Sequence, residues 1–356
     1  AMDVMLATES RLWSQAKAST MKPVLFITTR QHSNEVSATS AHLRFMELVA
    51  RDPDYRKYLD RINIVYNPME NPDGAANHQI YLEHTPTYIL HGGYWSSVMR
   101  DVGAYVNDPD PLLPEGLVRN RIYYTWIPDV YMNPHGYPSH EWVHQFAGYK
   151  VPWFLAFWIP RGYHINLNAL DDANYPLHRD VGRELRERII EEVQGNADIR
   201  AANERLVHRF EKYARRYEPA PFRLEIYKGM NILFEHSYSF REGGPDELSD
   251  DVYVSAMGGR PDPQGRRFIE RHPHLTVLEL GSDMPDETAS PEWMNKIAAP
   301  GQFGYLMAVI KLMYESEWQV YRYEEDFGDQ VRLSWYRPRP IKASRPDHEA
   351  AWPREP

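Results

Sequence analysis

Two groups of histidine and glutamate residues in this sequence have the spacing of metal ligands. In the first, His32-Ser33-Asn34-Glu35, an imidazole and a carboxylate lie three residues apart. The second is His140-Glu141-Trp142-Val143-His144, and five residues before it His135 stands in a Pro-His-Gly turn. Because imidazole nitrogens and carboxylate oxygens both bind zinc, each group could belong to a hydrolytic zinc site, and the two sites are incompatible alternatives.

The second group would need to lie on a helix, where His140 and His144 share one face and Glu141 could activate a water molecule. It also needs a third ligand. The downstream candidates, which no further motif supports, are Glu184, Glu187 and Glu191. The longer zinc-protease pattern fails as well, since Ala147 and Lys150 occupy its remaining positions. This interpretation is therefore the weaker one, and His140 and His144 are expected to line a cleft or lie at the surface.

The first group follows directly on Val24-Leu25-Phe26-Ile27, an apolar run typical of a buried strand. The carboxyl end of such a strand is where α/β folds place their sites. His32 and Glu35 can converge on one ion if a turn begins there. His135 could supply a third ligand from a distant strand end, which leaves one position of a catalytic zinc site open for water.

The pattern of apolar residues predicts the elements that would position these groups. Strand, loop, helix and strand follow one another, which indicates an α/β domain with a mainly parallel sheet. Asn71-Pro72-Asp73-Gly74 predicts a turn, and the chain after Trp318 predicts an extended tail or short edge strands. The predicted strands are Val24–Ile27, Ile62–Tyr66 and Leu275–Leu280, and the predicted helices are Val36–Ala50, two between Arg179 and Tyr217 that break near Gly195-Asn196, and Phe303–Glu315.

Five stretches occur in an order that is specific when taken together. They are His32-Ser33-Asn34-Glu35-Val36-Ser37, Asn71-Pro72-Asp73-Gly74, His135 at a strand end, Tyr253-Val254-Ser255-Ala256-Met257-Gly258-Gly259, and Thr276-Val277-Leu278-Glu279-Leu280. In this order the chain resembles the zinc carboxypeptidase superfamily, the M14 metallopeptidases, over residues 24 to 315.

The resemblance implies a three-layer α/β/α sandwich around a mixed, mostly parallel twisted sheet. It implies a catalytic domain over residues 1–317, with a helical insertion at about 179–217, and an extension over 318–356. Only 31 residues precede His32, fewer than in the family, so an upstream part is expected to be missing.

The resemblance also implies roles for individual residues. His32, Glu35 and His135 would hold one Zn²⁺. Glu279 would take a proton from the zinc-bound water and pass it to the leaving amine. Arg100 would polarise the scissile carbonyl. Tyr253 would be the family's mobile tyrosine, next to the substrate.

The sequence departs from the family at the residues that bind the substrate carboxylate. Family carboxypeptidases use an Asn-Arg pair, whereas this chain has Asn107-Asp108, and an aspartate repels a carboxylate. Either another cation binds the carboxylate, or the protein resembles an amidohydrolase of that superfamily, which would act on a modified peptide or an acyl-amino acid rather than on a free C-terminus. The candidate cations are Arg119, Arg121 and Arg161.

Composition limits the remaining function classes. A net charge of −10 argues against nucleic acid as a partner, and the absence of cysteine excludes thiolate ligands. No apolar run reaches the roughly 18 residues that a membrane span needs. The expected activity is zinc-dependent hydrolysis of a peptide or amide bond, and the alternative from another class is a non-catalytic binding module. A cytoplasmic location is favoured, and the oligomeric state stays open.

Overall fold

In the computed structural model, the chain is described over 15 ranges, and the account below concerns these residues alone. The ranges are 3–9, 18–19, 22–84, 96–98, 100–106, 113–138, 161–169, 176–213, 215–217, 225–236, 267–272, 275–287, 290–316, 321–326 and 331–336.

An eight-stranded mixed sheet organises this part of the molecule. Its order is β1-β3-β2-β4-β8-β5-β7-β6. Strands β3, β2, β4 and β8 run parallel to one another, β5 is antiparallel to β8 and parallel to β7, and β1 and β6 are antiparallel edge strands. The strands are β1 Met5–Ala7, β2 Val24–Thr28, β3 Asn63–Asn67, β4 Val130–Pro138, β5 His164–Ala169, β6 Glu225–Tyr227, β7 Met230–His236 and β8 Leu278–Glu287.

Helices precede or follow most of the strands. They are α1 Ser37–Arg51, α2 Pro53–Arg56, α3 Pro72–His84, α4 Glu115–Trp126, α5 Pro176–Gln194, α6 Ala197–Tyr213, α7 Phe268–Arg271, α8 Pro291–Trp293 and α9 Ala299–Glu315. Short 3₁₀ turns span Lys57–Asp60, Val102–Tyr105 and Arg215–Tyr217, and one π-helical turn spans Met294–Ala298. None of the helices in the described ranges is long and apolar enough to cross a bilayer.

Alternation along the strands divides the core between the two faces of the sheet, because successive side chains of a strand point to opposite sides. Leu25 and Ile27 pack with α1, α5 and α9 in the larger cluster. Val24 and Phe26 pack with Tyr123 of α4 in the smaller one. Helices therefore cover both faces, and the predicted three-layer α/β arrangement is confirmed.

Most predicted elements occur close to their expected bounds, and two differ. Asn71 to Gly74 is not a free turn but the start of α3, with the Asn71 side chain accepting a hydrogen bond from the Gly74 amide at 2.9 Å. The sequence did not distinguish the two structures, because asparagine and proline are common both in turns and at the start of helices. Strand β8 starts three residues later than predicted and continues to Glu287, and residues after Trp318 form a separate hairpin of β9 Tyr321–Asp326 and β10 Val331–Tyr336.

Candidate metal centre

His32 and Glu35 lie in the turn that joins β2 to α1, at the carboxyl edge of the sheet. The Glu35 amide donates to the His32 carbonyl at 3.1 Å, which folds the two side chains towards each other. Helix α1 begins at Ser37, and its first amide donates to Oδ2 of Asp286 on β8 at 2.8 Å. A carboxylate at a helix N-terminus accepts a hydrogen bond from an otherwise unpaired amide and complements the helix dipole. Asp286 of β8 therefore holds the first residue of α1 in place, two positions after Glu35.

His135 comes from β4, beside β2. Its carbonyl accepts a hydrogen bond from Nε2 of Gln302 on α9 at 2.9 Å. The Gln302 amide oxygen in turn accepts from Tyr163 and Ser282, at 3.1 and 2.8 Å. Gln302 is fully buried, so this saturated amide fixes the backbone from which the His135 imidazole projects.

The three predicted ligands converge. Nδ1 of His32 lies 2.7 Å from Oε1 of Glu35, and Nδ1 of His135 lies 2.8 Å from Oε2 of Glu35 and 3.1 Å from Nδ1 of His32. Ligand atoms on tetrahedral zinc are separated by about 3.3 Å, given bond lengths near 2.05 Å. Small outward movements of these side chains would therefore make room for one ion. Within the described ranges, this is the group of histidine and acidic side chains that could hold a metal.

A buried polar network lies behind His32. Its Nε2 is 3.6 Å from Oδ2 of Asp101, while Oδ1 of Asp101 accepts from Nε2 of Gln31 at 3.0 Å. The Gln31 oxygen accepts from Arg119 at 2.7 Å, and Arg119 forms a two-point ion pair with Glu70 at 2.6 Å on both bonds. Carboxylates beyond a ligating imidazole orient the ring and raise its basicity, which is the position that Asp101 occupies.

The charges of this network suit a divalent cation. Glu35, Glu70 and Asp101 are three buried carboxylates of this network. Glu70 is paired with Arg119, and Arg30 is close enough to Glu35 for their charges to interact. Burial lowers the pKa of His32, but the charges of Glu35 and Asp101 outweigh it and raise that pKa to about 10. Because a metal-bound imidazole nitrogen carries no proton, metal binding at His32 would be coupled to proton release. The donor set of two imidazoles and one carboxylate fits a zinc site with an open position.

A row of polar residues continues from His135 across the sheet. His135 on β4 is paired in register with Asp283 on β8, and Asp283 is paired with His164 on β5. Oδ2 of Asp283 lies 3.0 Å from Nδ1 of His164 and 3.1 Å from Arg161. Burial raises the pKa of Asp283, but the hydrogen bond with His164 and the charge of Arg161 outweigh it and hold that pKa well below its usual range.

The other predicted catalytic residues lie on β8 and immediately before Asp101. Glu279 pairs with Tyr131, four positions before the pair that contains His135. It lines one cavity of about 120 Å³ together with His135 and Arg119, and its Oε2 accepts from the Ile269 amide at 3.3 Å. The Arg100 side chain is exposed, immediately before the buried Asp101.

Several predictions fall outside the described ranges. They concern Asn107, Asp108, Tyr253, His140, Glu141 and His144. Two of the third ligands considered for the competing site are engaged elsewhere, because Glu184 pairs with Arg188 at 2.8 Å and Glu187 with Lys228 at 2.5 Å.

The alternative cations have different surroundings. Arg119 is committed to Glu70 and Gln31. Arg161 is buried against Asp283, with its guanidinium 4.4 Å from the Tyr137 ring centroid. Arg121 is exposed on α4.

Asp101, Gln31, Asp283 and Gln302 were not predicted from the sequence. Asp283 reaches the centre through strand register, Gln302 from helix α9 and Asp101 from a distant turn, so no local spacing marks them. Gln31 directly precedes His32 but belongs to no motif. Only His135 could be placed at a strand end from the sequence, because Pro134 and Gly136 flank it and mark a turn.

The family comparison matches the zinc carboxypeptidase model, of the M14 peptidases, to residues 7–85. No curated protein sequence matches the chain. Among solved structures, a metallo-carboxypeptidase from Burkholderia cenocepacia is 14% identical, with a TM-score of 0.45, over 87% of this chain and 60% of that one.

Two further structures are similar to a comparable extent. A Pseudomonas aeruginosa metallo-carboxypeptidase in complex with (2-guanidinoethylmercapto)succinic acid is 13% identical over 87% of this chain and 60% of that one, with a TM-score of 0.44. The product-bound cell shape determinant protein Csd4 from Helicobacter pylori is 10% identical over 90% and 62%, with a TM-score of 0.42. This chain spans about 60% of the length of the first of these structures.

The matched residues contain the His32 and Glu35 pair and the Asn71 to Gly74 stretch, two of the five from which the resemblance was predicted. That prediction is confirmed to this extent: over residues 7–85 the chain is similar to the zinc carboxypeptidase family.

Proposed function

We propose that this chain hydrolyses a peptide or amide bond at a single Zn²⁺ held by His32, Glu35 and His135. The observation that supports this most directly is the convergence of three ligand atoms from residues a hundred positions apart, all within 4.8 Å of one another. A bound zinc ion lowers the pKa of a coordinated water and polarises a carbonyl.

The protein's own residues would prepare this chemistry. Asp101 orients His32 through its second ring nitrogen, and Gln302 holds the backbone of His135. Arg100 would polarise the substrate carbonyl, a role that stays a prediction. A carboxylate must also accept a proton and return it to the leaving amine, and Glu279 is the residue that the family pattern assigns.

Zinc content tests the site. His135→Ala and Glu35→Gln should each reduce zinc from one ion per chain to a small fraction, with hydrolysis lost in parallel, because two ligands do not retain the ion. His208→Ala, an exposed histidine on α6, is the matched control and should keep both. Full zinc occupancy in His135→Ala would contradict the assignment.

The substrate is proposed as a peptide or an acylated amino acid, with a modified C-terminus suited to Asp108. A peptide series that differs only in a free, amidated or acylated end would decide between carboxypeptidase and amidase activity. Stoichiometric zinc without cleavage of any member would favour a non-catalytic binding module instead.

A further inference from the structure

We infer that the cavity beside His135 binds an acidic side chain of the substrate, and that Arg119 and Arg267 are the cations that recognise its carboxylate. This deepens the proposed function and rests on it, because it names the amino acid that leaves when the bond is cleaved. That amino acid is aspartate, glutamate or a modified residue with the same short, carboxylate-bearing side chain. The position, the size and the hydrogen-bond donors of the cavity support this selectivity.

The cavity lies next to the groups that would act on the scissile bond. Its lining includes the proposed ligand His135 on β4 and Glu279 on β8. Glu279 is the residue expected to return a proton to the leaving amine. A substrate group in this cavity therefore belongs to the amino acid that carries this amine, on the leaving side of the bond.

The cavity is small and partly apolar. Its volume is about 120 Å³, and Val106, Phe268 and Leu280 form part of its lining. A protein cavity of about 150 Å³ is large enough to bind benzene, so this one suits a group of roughly four or five non-hydrogen atoms. The side chains of aspartate and glutamate have this size, and the apolar part of the lining suits their methylene groups.

Arg119 has hydrogen-bond donors that its protein partners do not use. Its Nε and Nη2 donate to the Glu70 carboxylate at 2.6 Å, and Nη2 also donates to Gln31 at 2.7 Å. Its Nη1 has no hydrogen-bond partner among the residues that the structure describes, although the side chain is only 7% exposed. Since Arg119 lines the cavity, Nη1 is the nitrogen that an acceptor in the cavity can reach.

The charges of the lining favour an anion over a neutral group. Arg267, immediately before α7, is a second cation in the lining, and Glu279 is the one carboxylate among the described lining residues. Hydrogen bonds between a guanidinium and a carboxylate are roughly twice as strong as those between neutral groups. A neutral side chain of the same length lacks this charge, and buried donors that lose their acceptor reject such an analogue.

The test compares L-glutamate with L-glutamine, as product ligands of the zinc-loaded protein, by isothermal titration calorimetry. Glutamate should bind more tightly by roughly tenfold or more, because it alone offers a charged partner to the two arginines. Hydrolysis of benzoylglycyl-glutamate and benzoylglycyl-glutamine should show the same preference in kcat/KM. Both substrates are also used with an amidated α-carboxylate, and a preference that persists there comes from the side chain rather than from the terminus.

A variant assigns the preference to the cavity. Arg267→Met should reduce the preference for glutamate by roughly tenfold and leave the values for glutamine close to those of the wild type. Arg271→Met is the matched control, since Arg271 lies on the same short helix but outside the cavity lining, and it should keep the full preference. Arg119 is left unchanged, because its loss would leave the buried Glu70 without its partner.

Equal binding and equal cleavage of the glutamate and glutamine ligands would overturn the inference. A preference that is unchanged in Arg267→Met would overturn it as well. If the zinc-loaded protein binds glutamate selectively and Arg267→Met does not, but no substrate is cleaved, the selectivity of the cavity holds and the proposed hydrolysis is contradicted.

Discussion

Asp101 acts on the proposed metal centre through His32 rather than by binding the metal itself. It is fully buried and faces Nε2, the second ring nitrogen of His32. A carboxylate in this place fixes the ring and its tautomer, and loss of such a partner typically weakens metal binding by 10- to 100-fold.

We therefore expect Asp101→Asn to raise the dissociation constant for zinc by roughly 10- to 100-fold, as measured by competition with a chelator. Asp129→Asn is the control, since Asp129 is also a buried carboxylate but caps the Val24 amide near the start of β2, at the opposite end of that strand from His32. It should leave the zinc affinity unchanged. Equal affinities in wild type and Asp101→Asn would exclude an orienting role.

At this scale, the sequence predicted residues with local spacing and missed those that depend on pairing. His32 and Glu35 are three positions apart, so a single turn brings them together. Asp283 is one of four acidic residues from Glu279 to Glu287, and only the register with β4 distinguishes it.

At the scale of elements, β8 performs two tasks through alternate residues. Its odd positions carry Glu279 and Asp283 on the face of His135, while Asp286 reaches the first amide of α1. A Cβ atom at Gly136 would lie 1.7 Å from Oδ1 of Asp286, so glycine is required for this approach.

Gly136→Ala should displace Asp286 from the α1 terminus and lower the free energy of unfolding by about 1–3 kcal/mol, typical of overpacking, with weaker zinc binding as a second effect. Gly304→Ala, within α9, is the control: its Cβ would meet nothing closer than 3.3 Å, and its helix propensity improves. Chemical denaturation of the metal-free proteins measures both. A fully stable Gly136→Ala would show that β8 does not constrain α1.

The presence of most helices and strands could be predicted, because the periodic pattern of apolar residues is a local property of the sequence. The length of β8 could not be predicted in this way. The predicted strand ended at Leu280, since Gly281-Ser282-Asp283 has no apolar alternation. The strand continues because its partners β4 and β5 supply hydrogen bonds on both sides, which the residues themselves do not indicate.

The molecule as a whole should be sensitive to acid through its buried histidines. Burial lowers the pKa of His42 on α1 to about 4, despite a hydrogen bond to the Ala38 carbonyl. The folded state thus binds this proton less readily than the unfolded state, whose pKa is near 6.5. Its contribution is fully present above pH 6.5 and is lost as the pH falls towards 4.

For metal-free protein, we expect the stability difference between wild type and His42→Gln to shrink by up to about 3 kcal/mol between pH 7 and pH 4. Urea denaturation at both pH values measures it. The surface variant His208→Gln should follow the wild-type curve, and a pH-independent difference for His42→Gln would show that folding does not lower the pKa of His42.

The amide of Gln302 joins the last long helix to the carbonyl of His135, and this has a consequence for biosynthesis. While the ribosome is still adding residues up to about 302, the nascent chain already contains the three proposed ligands but not the helix that holds the backbone of His135. Tight zinc capture should therefore be a late event, completed only after α9 has left the exit tunnel, and shortened nascent chains should exchange the ion readily.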